Sequence, residues 1–333
     1  MQPLVSILIP AYNAEHWLAD SIQSAVSQSW PKKEIIVVDD GSKDQTLAVA
    51  RQFASSQVSV VTQPNQGAAT ARNKALSMCQ GDYIQWLDAD DFLASDKITA
   101  QMALIDASVG PKTLLSSAWC KFYFRPYRAL FIPDPLWKDL SPVEWMILKM
   151  ETGAWMAPES WLVSRHLTDC AGPWNVGLSM DDDGEYFSRI IRASDRILFA
   201  SQAKTYKRES NLGSLSKSIL APGKMESQFQ SNRLQIAALR SLEDSQRVRT
   251  ACLVYLQRWL IFFYPEHENI VKQAHELAAE LGGKLETPAL RWKYVAFHRL
   301  FGWAVAKKMS YTIPKARTWL AREWDRMLSC ASR

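Results

Sequence analysis

Over its first hundred residues the chain alternates short apolar runs with stretches of helical period. Leu4 to Ile9 (LVSILI, halted at Pro10), Glu34 to Val38 (EIIVV), Val58 to Val61 and Tyr83 to Leu87 are the apolar runs. Runs this short and this rich in β-branched residues predict strands buried on both faces. Asn13 is placed to cap a helix reaching about Ser27, with Leu18, Ile22, Ala25 and Val26 on its buried face. Ser42 and Gln45 fit a capping box for a helix carrying Leu47, Ala50 and Phe53, and Gly67 to Met78 predicts a third helix. Strands and helices alternating through short connections predict an α/β fold with a doubly wound, mostly parallel sheet.

The polar clusters fall where such a sheet binds ligands, at the carboxyl ends of its strands. Tyr12-Asn13 follows the first strand, Asp39-Asp40-Gly41-Ser42 the second, and Asp88-Ala89-Asp90-Asp91 the fourth. Tyr12 can stack on a nucleotide base and Asp39 can accept from its N–H edge. Each also suits a plainer role, as a packing residue and a turn cap. Asp40-Gly41-Ser42 reads as a turn and cap. Arg72, on the third helix, can clamp phosphate or ribose, or lie on the surface. A sheet core has no use for Asp88, Asp90 and Asp91, because buried charges must be paired or bound to metal. Two of them can hold a hard divalent cation that takes its other oxygens from a substrate's phosphates. An Asp-x-Asp cluster alone also fits a solvated turn.

Further along, Thr113 to Phe124 predicts a strand, and Ser141-Pro142-Val143-Glu144 combines an N-cap, Pro at N1 and Glu at N3. Gly172-Pro173-Trp174-Asn175 reads as a turn before Met180-Asp181-Asp182-Asp183-Gly184-Glu185, which opens a helix with Tyr186, Phe187, Ile190 and Ile191 on its apolar side. Carboxylates suit a helix's first turn. Three adjacent aspartates exceed what a cap needs, and their repulsion raises at least one pKa toward a useful basic range. Among Trp155, Trp161 and Trp174, Trp155 or Trp174 could offer a saccharide a stacking face, although core packing is the commoner use of tryptophan. Tyr206-Lys207-Arg208 and Ser214 to Lys217 read as a basic loop. Helices are predicted from Met225 to about Leu281, where Gly282-Gly283 interrupts, from Trp292 to Ala306, and from Pro314 to Leu328.

Four ordered motifs, IPAYNAE, EIIVVDDGSKDQT, NQGAATARNKAL and GDYIQWLDADD, span about 90 residues. Together the chain resembles the inverting family 2 glycosyltransferases of GT-A fold. The resemblance weakens through Arg189 and the stretch near residue 206, and ends at about residue 220. It implies a nucleotide-sugar donor, with UDP as the expected nucleotide, bound through Pro10, Tyr12, Asn13, Asp39, Arg72, Asp88 and Ala89. It implies Mn²⁺ or Mg²⁺ on Asp90, helped by Asp88, with Asp91 orienting its neighbours. The family's base is the second of an acidic pair with an arginine six positions later; Arg189 selects Asp183, with Asp182 as its rival. Glu185 is expected on the helix surface or against the acceptor. No metal ligand carries over from the basic loop, where Arg208 or Lys217 could meet the leaving phosphate. The expected organisation is a catalytic domain over 1–220, with a donor half 1–109 and an acceptor half 110–220, and a helical basic, aromatic-rich region over 221–333. Transfer to a saccharide or lipid-linked acceptor in cell-surface polysaccharide, lipopolysaccharide or glycolipid synthesis is the implied activity. A nucleotidyltransferase competes, but Pro10-Ala11-Tyr12-Asn13 is no glycine-rich phosphate loop; an inactive sugar-nucleotide-binding scaffold is the other rival.

Five cysteines without a C-x-x-C and five scattered histidines argue against a disulfide framework or a zinc hydrolase. With no signal-peptide pattern and no apolar run near the roughly 20 residues of a membrane span, a cytoplasmic location is expected. Net charge divides unevenly, −6 over residues 1–203 and +11 over 204–333. Within 291–326, nine Lys/Arg oppose two Asp/Glu and are interleaved with aromatics. That pattern predicts peripheral docking on an anionic membrane surface and matches no nucleic-acid reading motif.

Overall fold

The structure, a computed structural model, describes residues 2–105, 109–209, 223–289 and 292–330. The first half runs β1 (Val5–Ala11), α1 (Leu18–Val26), β2 (Lys33–Asp39), α2 (Thr46–Arg51), β3 (Val58–Thr62), α3 (Ala68–Met78), β4 (Tyr83–Trp86), β5 (Phe92–Leu93) and α4 (Lys97–Met102). It continues through β6 (Thr113–Phe122), α5 (Pro142–Thr152), β7 (Val163–Ser164), α6 (Arg165–Ala171), α7 (Asp182–Ala193) and β8 (Arg196–Arg208). Four helices follow: α8 (Lys224–Leu242), α9 (Gln246–Phe263), α10 (Glu268–Glu280) and α11 (Trp292–Cys330).

The main sheet has the order β3-β2-β1-β4-β7, parallel except for the antiparallel β7. The period-2 alternation of its strands divides the core. Val5, Ile7 and Ile9 pack with Leu18, Ile22 and Ala25 of α1, while Leu8, Ile36 and Trp86 pack on the other face with Ala71 and Ala75 of α3. A second sheet has the order β5-β8-β6, with β6 and β8 parallel and β5 antiparallel to β8. That sheet adds to the doubly wound expectation, and β8 running through Arg208 replaces the loop expected at Tyr206-Lys207-Arg208.

The capping box at Ser141 and Glu144 forms as predicted. Two other caps do not. Asn13 takes a left-handed φ of 47° and reaches across to the loop after β2, so α1 starts only at Leu18. Ser42 accepts from the Asn13 N–H, and Asp44, not Ser42, takes the Thr46 N–H at the start of α2. In α11 the interruption lies at Gly302 (φ 78°), a conformation glycine adopts without Cβ strain, and Pro314 falls inside a helical segment. Apolar residues of α8 and α9, including Phe229, Leu239 and Leu256, share one core with α5 and α7. The expected boundary at 220/221 lies outside the described residues, as does Lys217. Cys79, Cys120, Cys170 and Cys252 are unpaired thiols.

Candidate active site

The crevice forms at the carboxyl ends of β1, β2 and β4. Tyr12 leaves β1 with its ring 46% exposed, available to a ligand, while Pro10 pairs within the strand beside Val38. Asn13 ties this turn to the next loop, its N–H donating to Ser42 Oγ (3.0 Å) and its Oδ1 accepting from the Lys43 N–H (2.9 Å). Asp39 is buried and accepts from Thr62 Oγ1 (2.8 Å) and the Ser42 N–H (3.3 Å). Asp40 accepts from the N–H groups of Gln66 and Gly67 (3.0 and 2.8 Å), where the chain enters α3.

Arg72 projects from α3 and joins two distant acidic elements. Its Nη2 donates to Asp88 Oδ1 (3.0 Å) after β4, and its Nη1 to Asp182 Oδ2 (2.8 Å) on α7. The guanidinium lies 4.3 Å over Trp174, which stacks on Tyr186 at 4.0 Å. Burial opposes the charge on Arg72, but Asp182 and Asp88 outweigh it and push its pKa up. Trp174 is fully buried in this stack, so it offers no face to an acceptor.

Past β4, Ala89 is buried and Asp91 turns inward, accepting from the Arg208 N–H (2.6 Å) and Lys207 Nζ (3.0 Å). Lys207 also lies 3.6 Å from Asp88. The ligand oxygens of Asp88, Asp91 and Glu159 lie within 4.8 Å of one another. Glu159 is fully buried, and neither of its carboxylate oxygens has a hydrogen-bond partner among the described residues. Burial, Lys207 opposing, raises the pKa of Asp91 and Glu159; burial and then Asp88 raise that of Asp90. Lys207 is held charged against its own burial by Asp91, Glu159, Asp88 and Asp90. Four carboxylates around one lysine leave a surplus of negative oxygen donors, a set that fits a hard divalent cation. Arg208 donates from Nε to the Asp90 carbonyl (2.9 Å) and from Nη2 to Asp20 (2.8 Å), its guanidinium 4.3 Å over Trp17. It therefore fastens the Asp90 backbone to α1.

On the opposite wall, Asp181 has a left-handed φ of 55° before α7. Its Oδ2 accepts from Gln228 Nε2 (3.0 Å), Ser231 Oγ (2.8 Å) and Gln235 Nε2 (2.7 Å), all on α8. Burial pushes its pKa up to about 6. A Cβ on Gly184 would meet Asp181 Oδ1 at 2.3 Å, so this close approach requires glycine. Burial, with Asp183 and Asp88 adding to it and Arg72 opposing, also raises the pKa of Asp182. Asp183 borders a cavity of about 410 Å³. Glu185 corrects the expectation made for it: it is buried, and both oxygens bind Arg189 (2.7 and 2.9 Å) one turn later. Arg189 also holds the Ala171 and Pro173 carbonyls, so it fixes the turn before α7.

The structure thus brings Arg72, Asp88 and Asp182 into direct contact and places Asp183 beside them on α7. Glu159 and Lys207 complete the acidic end and were not singled out as site residues by sequence reasoning. A lone carboxylate inside the apolar run AWMAPESWLV was the available signal for Glu159.

Residues 6–112 match the family model described as glycosyl transferase family 2. The chain carries a family 2 glycosyltransferase domain. Among relatives, it is 44% identical over 103 residues to an uncharacterized glycosyltransferase of Haemophilus influenzae, covering 30% of this chain and 41% of that protein. It is 39% identical over 103 residues to UDP-Glc:alpha-D-GlcNAc-diphosphoundecaprenol beta-1,3-glucosyltransferase WfgD of Escherichia coli, covering 31% and 41%. The matched segment therefore spans about two fifths of these relatives. A crystal structure of S. aureus TarS 1–349 in complex with UDP-GlcNAc is similar with TM-score 0.65 at 19% identity, covering 83% of this chain and 81% of that one. This likeness shows that the family 2 domain and the elements after it share a GT-A-like fold. Among the described residues, no helix is long and apolar enough to cross a membrane.

Proposed function

We propose that the protein is an inverting, metal-dependent glycosyltransferase that moves a sugar from a UDP-linked donor to a hydroxyl of a saccharide or lipid-linked acceptor. Cell-surface polysaccharide, lipopolysaccharide or glycolipid synthesis is the setting, a reading supported by the diphosphoundecaprenol acceptor in the name of the WfgD relative. The observation that carries the proposal is the Arg72 bridge, because it puts the acidic end of β4 and the first turn of α7 on the two sides of one crevice.

In this reading Tyr12 stacks on the base, Asp39 accepts from its edge, and Pro10, Asn13, Arg72, Asp88 and Ala89 line the rest of the donor site. Asp90 with Asp88 would hold Mg²⁺ or Mn²⁺, whose Lewis acidity stabilises a departing diphosphate. Asp183 takes the proton from the acceptor hydroxyl, the freed oxygen bonds to the anomeric carbon, and the bond to the diphosphate breaks on the opposite face. The configuration inverts. Asp182 is engaged by Arg72 while Asp183 borders a cavity, which favours Asp183 as the base.

Asp183→Asn should leave UDP affinity nearly unchanged and cut transfer about 10²–10⁴-fold, the usual weight of a general base. Full activity in that variant, with loss in Asp182→Asn, would move the role to Asp182. Asp90→Asn should abolish turnover and remove the Mn²⁺ dependence of UDP binding in titration calorimetry. Wild-type metal dependence in that variant would refute the assignment of Asp90.

A further inference from the structure

The cavity beside Asp183 is walled largely by residues beyond the family-matched segment. Its inner side carries Trp145 and Trp161, and Trp155 comes from the loop after α5. Its outer side is helix α9, through Tyr255, Arg258, Trp259 and Phe262. Lys149, Asp181, Asp183 and Arg258 are the charged residues of its lining. At about 410 Å³ the space falls within the range of small-molecule sites. Arg258 fixes the shape of this wall. Its Nη2 donates to the Glu151 carbonyl, and its side chain fills the place where a Cβ on Gly153 would lie (2.6 Å from Nη1). The loop bearing Trp155 is thereby fastened to α9.

Aromatic walls around a few polar groups suit the apolar faces and hydroxyl edges of a sugar ring. Resting on the glycosyltransferase reading above, we infer that this cavity binds the acceptor saccharide and that α9 selects it, Trp155 and Trp259 supplying the stacking faces and Arg258 positioning them. The ring lies between these tryptophans with one hydroxyl toward Asp183. Acceptor choice is then a property of the C-terminal helices, separate from the donor machinery of β1 to β4.

The test uses the full chain labelled with 5-fluorotryptophan, its Trp155 and Trp259 signals assigned by Trp→Phe variants. With UDP and Mn²⁺ present, it is titrated with p-nitrophenyl glycosides of glucose, galactose, N-acetylglucosamine and N-acetylgalactosamine. At least one glycoside should shift both signals saturably and serve as an acceptor. Its KM should rise about tenfold in Trp259→Ala, the weight of one stacking contact, and recover toward wild type in Trp259→Phe. Acceptor-free hydrolysis of UDP-sugars should be unchanged in both variants. A glycoside that turns over without moving either signal, an unchanged KM in Trp259→Ala, or no glycoside shifting the signals in an enzyme that hydrolyses UDP-sugars would each overturn the inference. Loss of UDP-sugar hydrolysis in Trp259→Ala would also overturn it, by assigning the cavity to the donor. If the wild type neither binds UDP nor hydrolyses any UDP-sugar, the underlying reading fails instead.

Discussion

Replacing Arg72 by methionine isolates the contribution of one guanidinium. Methionine keeps an apolar stem against Trp174 but removes the cation shared by Asp88 and Asp182. Breaking a buried ion pair by deleting one partner typically costs about 3–5 kcal/mol, because the other charge is left uncompensated. Here two carboxylates are stranded, but their side chains are 24% and 22% exposed, so water can reach both. That screening places the expected loss at the lower end, about 2–3 kcal/mol, or a fall of about 3–4 °C in Tm for a chain of this size.

The pH dependence distinguishes charge from packing. Arg72 is the nearest charge that lowers the pKa of both Asp88 and Asp182, so without it both pKa values rise relative to wild type. A carboxylate with a raised folded-state pKa adds stability below its unfolded value and loses it as pH rises through the folded one. The deficit of Arg72→Met relative to wild type should therefore be full at pH 8 and shrink toward pH 5. Arg72→Lys should fall between the two, since an ammonium cannot fork across both partners. Urea denaturation at both pH values, with UDP binding in parallel, measures this. An equal deficit at pH 5 and pH 8 would mean that Arg72 acts through packing alone, and no deficit at all would refute the bridge.

Asp181, with its pKa raised to about 6 by burial, stabilises the fold while protonated and loses that contribution as pH climbs from about 4 through 6. Asp181→Asn keeps an oxygen for the three α8 donors, so its urea midpoint should decline less than wild type over that interval; parallel curves would show that Asp181 does not govern it. The docking proposal for 291–326 rests on the exposed Leu320, Trp324 and Met327, which share one face of α11, with Trp319 beside them and the exposed Lys308 and Arg326 flanking. The full chain should float with phosphatidylglycerol-containing vesicles at low salt and be released by high salt, and a Trp319→Ser, Leu320→Ser, Trp324→Ser variant should not float. Equal flotation of the two proteins, or none by the wild type, would end that proposal.

The crevice at the strand ends was legible because its signals are local. Three of the four apolar runs ended at a polar cluster, and parallel pairing in register aligned those ends. The misreadings arose where a side chain answers to something far away in sequence. Asn13 looks like a cap, yet its partners lie 29 and 30 residues on, at Ser42 and Lys43. Lys207 and Arg208 look like a solvated loop in any short window. They are strand residues because β8 pairs with β6, Lys121 beside Lys207 and Phe122 beside Arg208, and Asp91, more than a hundred positions earlier, takes both the Lys207 ammonium and the Arg208 N–H. Glu185 looked like surface because its partner, though only one turn away, is an arginine already given another role by the motif. Helix α9 lies inside the helical stretch read from Met225 to about Leu281, but the cavity it closes leaves no local trace, since the wall exists only once α5, α7 and α9 have packed.

The same long-range contacts limit how independently the family 2 domain can behave. Residues 6–112 contain Arg72, Asp88, Asp90 and Asp91, but apart from the Arg72–Asp88 pair the groups that neutralise or hold them, Asp182, Lys207 and Arg208, come later. A buried carboxylate such as Asp91 without Lys207 would carry an uncompensated charge, which costs several kcal/mol. The donor half therefore cannot reach its working geometry ahead of α7 and β8, and the two sides of the crevice must be fixed together. Helix α9 stands outside this constraint, for it meets the site through apolar faces and one arginine rather than through the acidic cluster. A change of aromatic shape along α9 alters the cavity while leaving every ion pair at β4 and β8 intact. In the proposed function, charge thus fixes the catalytic centre, and apolar packing is left free to set which acceptor fits.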